Sequence, residues 1–309
     1  MTIHSDGKYW RWARLRVANQ EQVNSRMFAL VQEIKISHYS DPQTVLALLQ
    51  SIQDDVTLQQ KKLTVVDGAL QNLNPGLVSR ALLKLKDFSI QGNQPVQIEA
   101  IFAGITNSAN ISLRYLNLDD MSDVVQVAPD TVAQAAMKLE FFKAWFSFPQ
   151  VKAVLTRLAA SQDCRLRMLK NYSSDTCDIS SLDPEIVAGA LTKLESISKW
   201  SLSGAQLAAI FSAIPESPVV SLWLSDQNIS HVSPLDLVSA IRNLKSFNVL
   251  FGWMTSEQAT AILTMVEENR LGNIKKITIC FPQISGSVSP SLIQRAKQNS
   301  NIDLTWRWH

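Results

Sequence analysis

The chain has 309 residues, of which 46% are hydrophobic and only 18% charged, with a net charge of +2. That composition excludes a disordered chain, and it excludes a binder that works through a strong overall field of either sign. No run of eighteen apolar residues occurs, and the N-terminus carries arginines and tryptophans where a signal peptide needs an apolar core, so membrane insertion is not expected and a cytoplasmic or nuclear location is.

Residues 1–24 read as a basic, aromatic capping segment, with Lys8, Arg11, Arg14 and Arg16 around Tyr9, Trp10 and Trp12. Its tryptophans are expected to cover a first strand near Val31 to Ile36, because the open end of a stacked structure must be shielded from water. The same mixture of cations and rings suits an RNA strand or an anionic surface, which is the alternative functional reading.

From residue 25 to 309 the chain repeats itself. Pro75, Pro129, Pro184, Pro234 and Pro290 each stand six residues before an alanine, namely Ala81, Ala135, Ala190, Ala240 and Ala296. The first four are followed ten residues on by Leu85, Leu139, Leu194 and Leu244. A second series of helices fills the gaps, centred on Ala47, Ala100, Ala153, Ala209 and Ala261, at spacings of 53, 53, 56 and 52 residues. Units of about 27 residues, paired into repeats of about 53, follow from the interleaving.

Each helix is followed by a short alternating run. In the first series these are Phe88 to Ile90, Phe142 to Ala144, Ile197 to Lys199 and Phe247 to Val249; in the second, Leu63 to Val65, Leu116 to Leu118, Leu222 to Leu224 and Ile277 to Ile279. A period of two puts one face inward and leaves the other free. Strands and helices alternating at this interval give an α/β solenoid, a horseshoe with a parallel sheet on the concave face and helices on the convex face.

The prolines fit the first helical turn, where their missing N–H is unpaired anyway. Asp41, Asp183, Ser233 and Ser289 are the expected N-caps. The repeated alanines mark where helix approaches sheet, and Ala209 is expected to be such a contact, intolerant of a larger side chain.

The stretch from Leu182 to Glu195, with Ser203 to Phe211 and Leu222-Trp-Leu-Ser-Asp-Gln-Asn-Ile229, resembles the leucine-rich repeats of ribonuclease-inhibitor-like type. It is similar in particular to the F-box-associated repeat arrays of invertebrate proteins. The asparagine that ends the strand turn in that family is replaced by Gln227 in one unit and by Gly68 in another. Residues Lys8 to Val17 are similar to the piece that joins an F-box to such repeats, but only nine residues precede Trp10, so the F-box itself is absent from this sequence. The resemblance implies a protein-binding scaffold, and more specifically an adaptor that recognises substrates for a ubiquitin ligase.

Chemistry-bearing patterns are sparse. His4, His38, His231 and His309 are scattered, the three cysteines are far apart, and there is no phosphate loop, dinucleotide fingerprint or nucleophile elbow. No catalytic residue, metal site or cofactor is expected. The outward strand positions are more informative, because Tyr115, Asn117, Phe141, Lys143, Trp145, Trp200 and Trp223 fall there. Exposed aromatics on a rigid sheet are typical interface anchors, so a groove centred on Trp145, Trp200 and Trp223 is the expected seat of a protein or peptide partner. Asn301 to His309 reads as a last strand with Ile302, Leu304 and Trp306 inward, ending either in a cap made by Trp308 and His309 or in an edge open to a dimer contact.

Overall fold

The computed structural model describes residues 14–16, 33–36, 40–66, 68–92, 95–119, 123–171, 177–198, 200–280, 282–299 and 301–307. The chain divides into two compact units, residues 1–154 and 155–309. Lys8 to Trp12, Lys199, Trp308 and His309 lie outside the described residues.

The first unit holds β1 (Arg14–Arg16), β2 (Glu33–Ile36), α1 (Pro42–Asp54), α2 (Val56–Gln59), β3 (Lys62–Val66), α3 (Pro75–Leu82), β4 (Asp87–Gln91), α4 (Pro95–Asn107), β5 (Tyr115–Asp119), α5 (Pro129–Ala136) and β6 (Phe141–Ala144). Helix α6 (Phe148–Ala160) crosses the division between the units. Strands β1 to β6 pair in chain order and every pairing is parallel. Their register aligns Ile34, Leu63, Phe88, Leu116 and Phe142 in one row, all fully buried. A second buried row is Ile36, Val65, Ile90 and Leu118.

The second unit follows the same plan with β7 (Met168–Asn171), β8 (Cys177–Asp178), α7 (Pro184–Leu191), β9 (Ser196–Ser198), β10 (Trp200–Ser201), α8 (Gly204–Ala213), β11 (Ser221–Ser225), α9 (Pro234–Asn243), β12 (Ser246–Leu250), β13 (Trp253–Thr255), α10 (Ser256–Glu267), β14 (Lys276–Cys280), β15 (Gln283–Ser285), α11 (Pro290–Lys297) and β16 (Asp303–Arg307). Its main sheet runs β9, β11, β12, β14, β16, again all parallel. Two short parallel ladders, β8 with β10 and β13 with β15, lie outside it. Parallel strands in chain order, joined by helices from β2 to β6 and from β9 to β16 and closing no barrel, make the fold an α/β leucine-rich-repeat solenoid.

The expected frame is visible in the packing. Ala81, Ala135, Ala190, Ala240 and Ala296 are all buried, and so are Leu85, Leu139, Leu194 and Leu244. In contrast, the central alanines of the second series, Ala209 among them, are only half-buried. The fully enclosed alanine therefore belongs to α3, α5, α7, α9 and α11, and Ala209 is not enclosed in that way.

Asp41, Asp183 and Ser233 cap their helices by accepting from backbone N–H groups of the first turn, and Asn74 does the same for α3. Ser289 does not; its hydroxyl pairs with that of Ser291 instead. Gln227 bonds backbone on both sides of its turn. It is buried, its Oε1 accepts from Leu202 N of the preceding repeat at 2.9 Å, and its Nε2 donates to Ser225 O at 3.0 Å. Gly68 occupies its turn at φ 72°, a conformation that only a residue without Cβ takes at little cost.

A polar device absent from the sequence reading recurs through both units. Gln97, Gln150, Gln206 and Gln258 are buried near the starts of the second-series helices. The Nε2 of each donates to two carbonyls in the turn before the preceding proline helix: Leu70 and Leu73, Val124 and Val127, Ile179 and Leu182, Ile229 and Val232. In three of them Oε1 also accepts from the N-cap N–H of the residue's own helix, at Ser147, Ser203 and Thr255. Lys138 and Lys193 repeat a second device. Each Nζ donates to three carbonyls at the C-terminal end of the preceding helix, α4 and α6 respectively, where the helix dipole favours a cation.

Candidate partner-binding face

Because alternate side chains of each strand enter the core, the intervening ones form rows on the exposed face of the sheet. In the first unit, one row is Glu33, Lys62, Asp87, Tyr115 and Phe141, and the next is Lys35, Thr64, Ser89, Asn117 and Lys143. The first row passes from charge to aromatic. Lys62 Nζ lies 3.8 Å from Glu33 Oε1, and Thr64 donates to the same carboxylate at 2.8 Å. Burial pushes the Asp87 carboxyl above its ordinary value, opposed by the Lys62 ammonium and reinforced by the Glu33 carboxylate.

Tyr115 and Phe141 stack with ring centroids 6.2 Å apart and an interplanar angle of 29°. Tyr115 remains 38% exposed, and Trp145, one residue past β6, is 44% exposed. Asn117 Nδ2 donates to Ser89 Oγ at 3.1 Å, while its Oδ1 has no hydrogen-bond partner among the described residues. Lys143 stands beside it in register and is half-buried.

In the second unit the rows are different in kind. One is Ser196, Ser221, Ser246, Lys276 and Asp303; the next is Ser198, Trp223, Asn248, Thr278 and Thr305. Trp223 is 48% exposed and flanked in register by the small side chains of Ser198 and Asn248.

Trp200 is where the expectation fails. It is 3% exposed, so it belongs to the core and not to the face. Strand β9 ends at Ser198, and Trp200 opens β10, which pairs with Cys177 and Asp178 in a separate ladder. The alternation of β9 therefore does not carry over into β10. Counting by twos through that break assigned Trp200 to the wrong side.

Three exposed aromatics escaped the sequence reading: Phe148 at the start of α6, Phe251 just after β12 and Trp253 at the start of β13. All lie at strand or helix ends, where no periodicity marks a face. Phe251 also sits at φ 52°, a conformation unfavourable for a bulky side chain; Asp226 occupies the corresponding place after β11 at φ 55°. Backbone held in a sparsely populated region while its ring stays partly exposed is a common mark of a functional surface.

Among the described residues no group of three or more His, Cys, Asp or Glu is placed to hold a metal ion. No helix among them is long and apolar enough to cross a membrane. Cys164 and Cys280 are free thiols.

No family model and no curated protein matches the chain. Among solved structures it is similar to the leucine-rich repeat-containing protein LegL7 from Legionella pneumophila. The two share 14% identity over 94% of this chain and 98% of that one, with a TM-score of 0.46. The leucine-rich-repeat class of each unit stands on its own strand order, register and buried rows.

Proposed function

We propose that the chain is a non-catalytic protein-interaction scaffold that takes a protein or peptide partner on the exposed face of its sheets. Trp223 carries this reading. A tryptophan half exposed on a rigid strand, with small polar neighbours on either side, is held where it cannot bury itself and where a partner's pocket can reach it. Tryptophan is also the residue type most enriched among interface hot spots. In the first unit the stacked Tyr115 and Phe141, with Trp145, supply the apolar contact.

The finer role, substrate recognition for a ubiquitin ligase, is supported only by the resemblance of the repeats and of residues 8–17 to F-box-associated arrays. It predicts ligase subunits among the proteins that stay bound when the aromatic face is altered.

Trp223→Ala is expected to weaken the partner by about 2 kcal/mol or more while circular dichroism and the unfolding midpoint stay near the parent's. Global unfolding of the variant would instead make Trp223 a core residue and remove the basis of the reading. Repeating the binding measurement between low and physiological salt separates the alternative. Binding through phosphates to the basic N-terminus falls steeply with ionic strength, whereas binding to an aromatic face does not.

A further inference from the structure

Strand β16 forms one edge of the second unit's main sheet, paired with β14 on one side and with no strand among the described residues on the other. Its inward row shows the effect. Leu222, Phe247 and Ile277 are fully buried, but Leu304, next in the same register, is only half-buried. Asp303 N donates to Lys275 O at 3.0 Å. Strand geometry then directs the backbone groups of Asp303, Thr305 and Arg307 toward β14, and those of Leu304 and Trp306 toward the open edge.

We propose that this edge is a dimer contact, in which β16 of a second copy of the chain pairs with it antiparallel about a two-fold axis through Thr305. The sequence of the strand is complementary to its own reverse. With Thr305 opposite Thr305, Leu304 of each copy stands opposite Trp306 of the other, and their edge-facing backbone N–H and C=O groups exchange hydrogen bonds. Asp303 then faces Arg307 on the solvent side, and Leu304 faces Trp306 on the core side. Arg307 has no ion-pair partner among the described residues, while Asp303 pairs only with Lys276, at 3.6 Å and well exposed. Sliding one strand by two residues sets Asp303 opposite Thr305, or Arg307 opposite Thr305, and loses the ion pair, while sliding it by four sets Asp303 opposite Asp303 or Arg307 opposite Arg307, so charge selects the register. The occupant is therefore a second copy of this chain, not an unrelated extended segment, because the complementarity is of the strand with itself.

Sedimentation velocity over a range of protein concentrations tests this with the full chain. The parent is expected to dimerise. Arg307→Asp should raise the dimer dissociation constant about tenfold or more by placing carboxylates opposite each other. Combining it with Asp303→Arg should restore dimerisation, since the pair is then reversed but intact. Circular dichroism checks that both variants keep the parent fold. A parent that stays monomeric overturns the proposal, whether or not it captures an unrelated extended peptide, and so does a dimer that neither variant alters.

Discussion

Gln206 is fully buried, and its amide joins two repeats: Nε2 donates to the carbonyls of Ile179 and Leu182 at 2.8 and 2.7 Å, and Oε1 accepts from Ser203 N at 2.8 Å. A buried polar group that loses its partner keeps the full cost of having left water. Gln206→Ala is accordingly expected to lower unfolding free energy by about 3 kcal/mol, more than the truncation of a surface glutamine. Urea denaturation of parent and variant measures it, and a change below roughly 0.5 kcal/mol would mean that water replaces the amide at no penalty. This residue was legible in principle. A glutamine stands three positions before the central alanine at Gln97, Gln150, Gln206 and Gln258, and Thr44 takes the equivalent place in the first repeat, also buried. Apolar periodicity does not reveal it, because a polar residue on the inner face of a helix interrupts the apolar pattern. Trp223 was legible for the opposite reason: Leu222 and Leu224 on either side fix the parity of their strand.

At the level of single elements, the two helix series differ in what holds them. Helices α3, α5, α7, α9 and α11 each bury an alanine, whereas α4, α6, α8 and α10 are anchored by their glutamines and keep their central alanines half-buried. Ala190→Leu is therefore expected to cost about 1–3 kcal/mol through overpacking, and Ala209→Leu distinctly less. Thermal unfolding of the two variants distinguishes them, and equal losses would mean that both helices lie equally close to the sheet. The strands themselves were read well from alternation, since the inward residues of β3, β4, β5, β6, β11, β12 and β14 are all buried as expected. What alternation could not deliver was the end of a strand. Trp200 lies two residues beyond the last residue of β9, and nothing in Ile-Ser-Lys-Trp signals that a second ladder begins there. The two short ladders were missed on the same account, being only two and three residues long, with pairing partners more than twenty residues away.

For the whole molecule, the pattern of pairing bears on stability. In the second unit's main sheet each strand pairs only with its immediate neighbours, β9 with β11, β11 with β12, β12 with β14 and β14 with β16. Stability in such an array is close to a sum of unit and neighbour terms. Ala190→Leu and Ala296→Leu, at helices with three others between them, should thus add to within about 0.5 kcal/mol when combined. Equilibrium unfolding of the two single variants and the double variant checks this; a larger departure would reveal coupling that the neighbour-only contacts do not supply. Repeat period, helix series and solenoid class were all legible here because they depend on many residues at once. The candidate face was legible only in part, because it depends on the parity of single strands.

The side-chain links from one repeat to the next share a direction. Gln97 reaches back to Leu70 and Leu73, Lys138 to the end of α4, Lys193 to the end of α6, Gln258 to Ile229 and Val232, and Asn299 to Val266. In each case the later segment completes the earlier one. As the chain leaves the ribosome, every turn therefore waits, its carbonyls still open to water, until the next thirty or so residues arrive to seal it, and the solenoid closes behind itself like a zip whose slider trails the growing end.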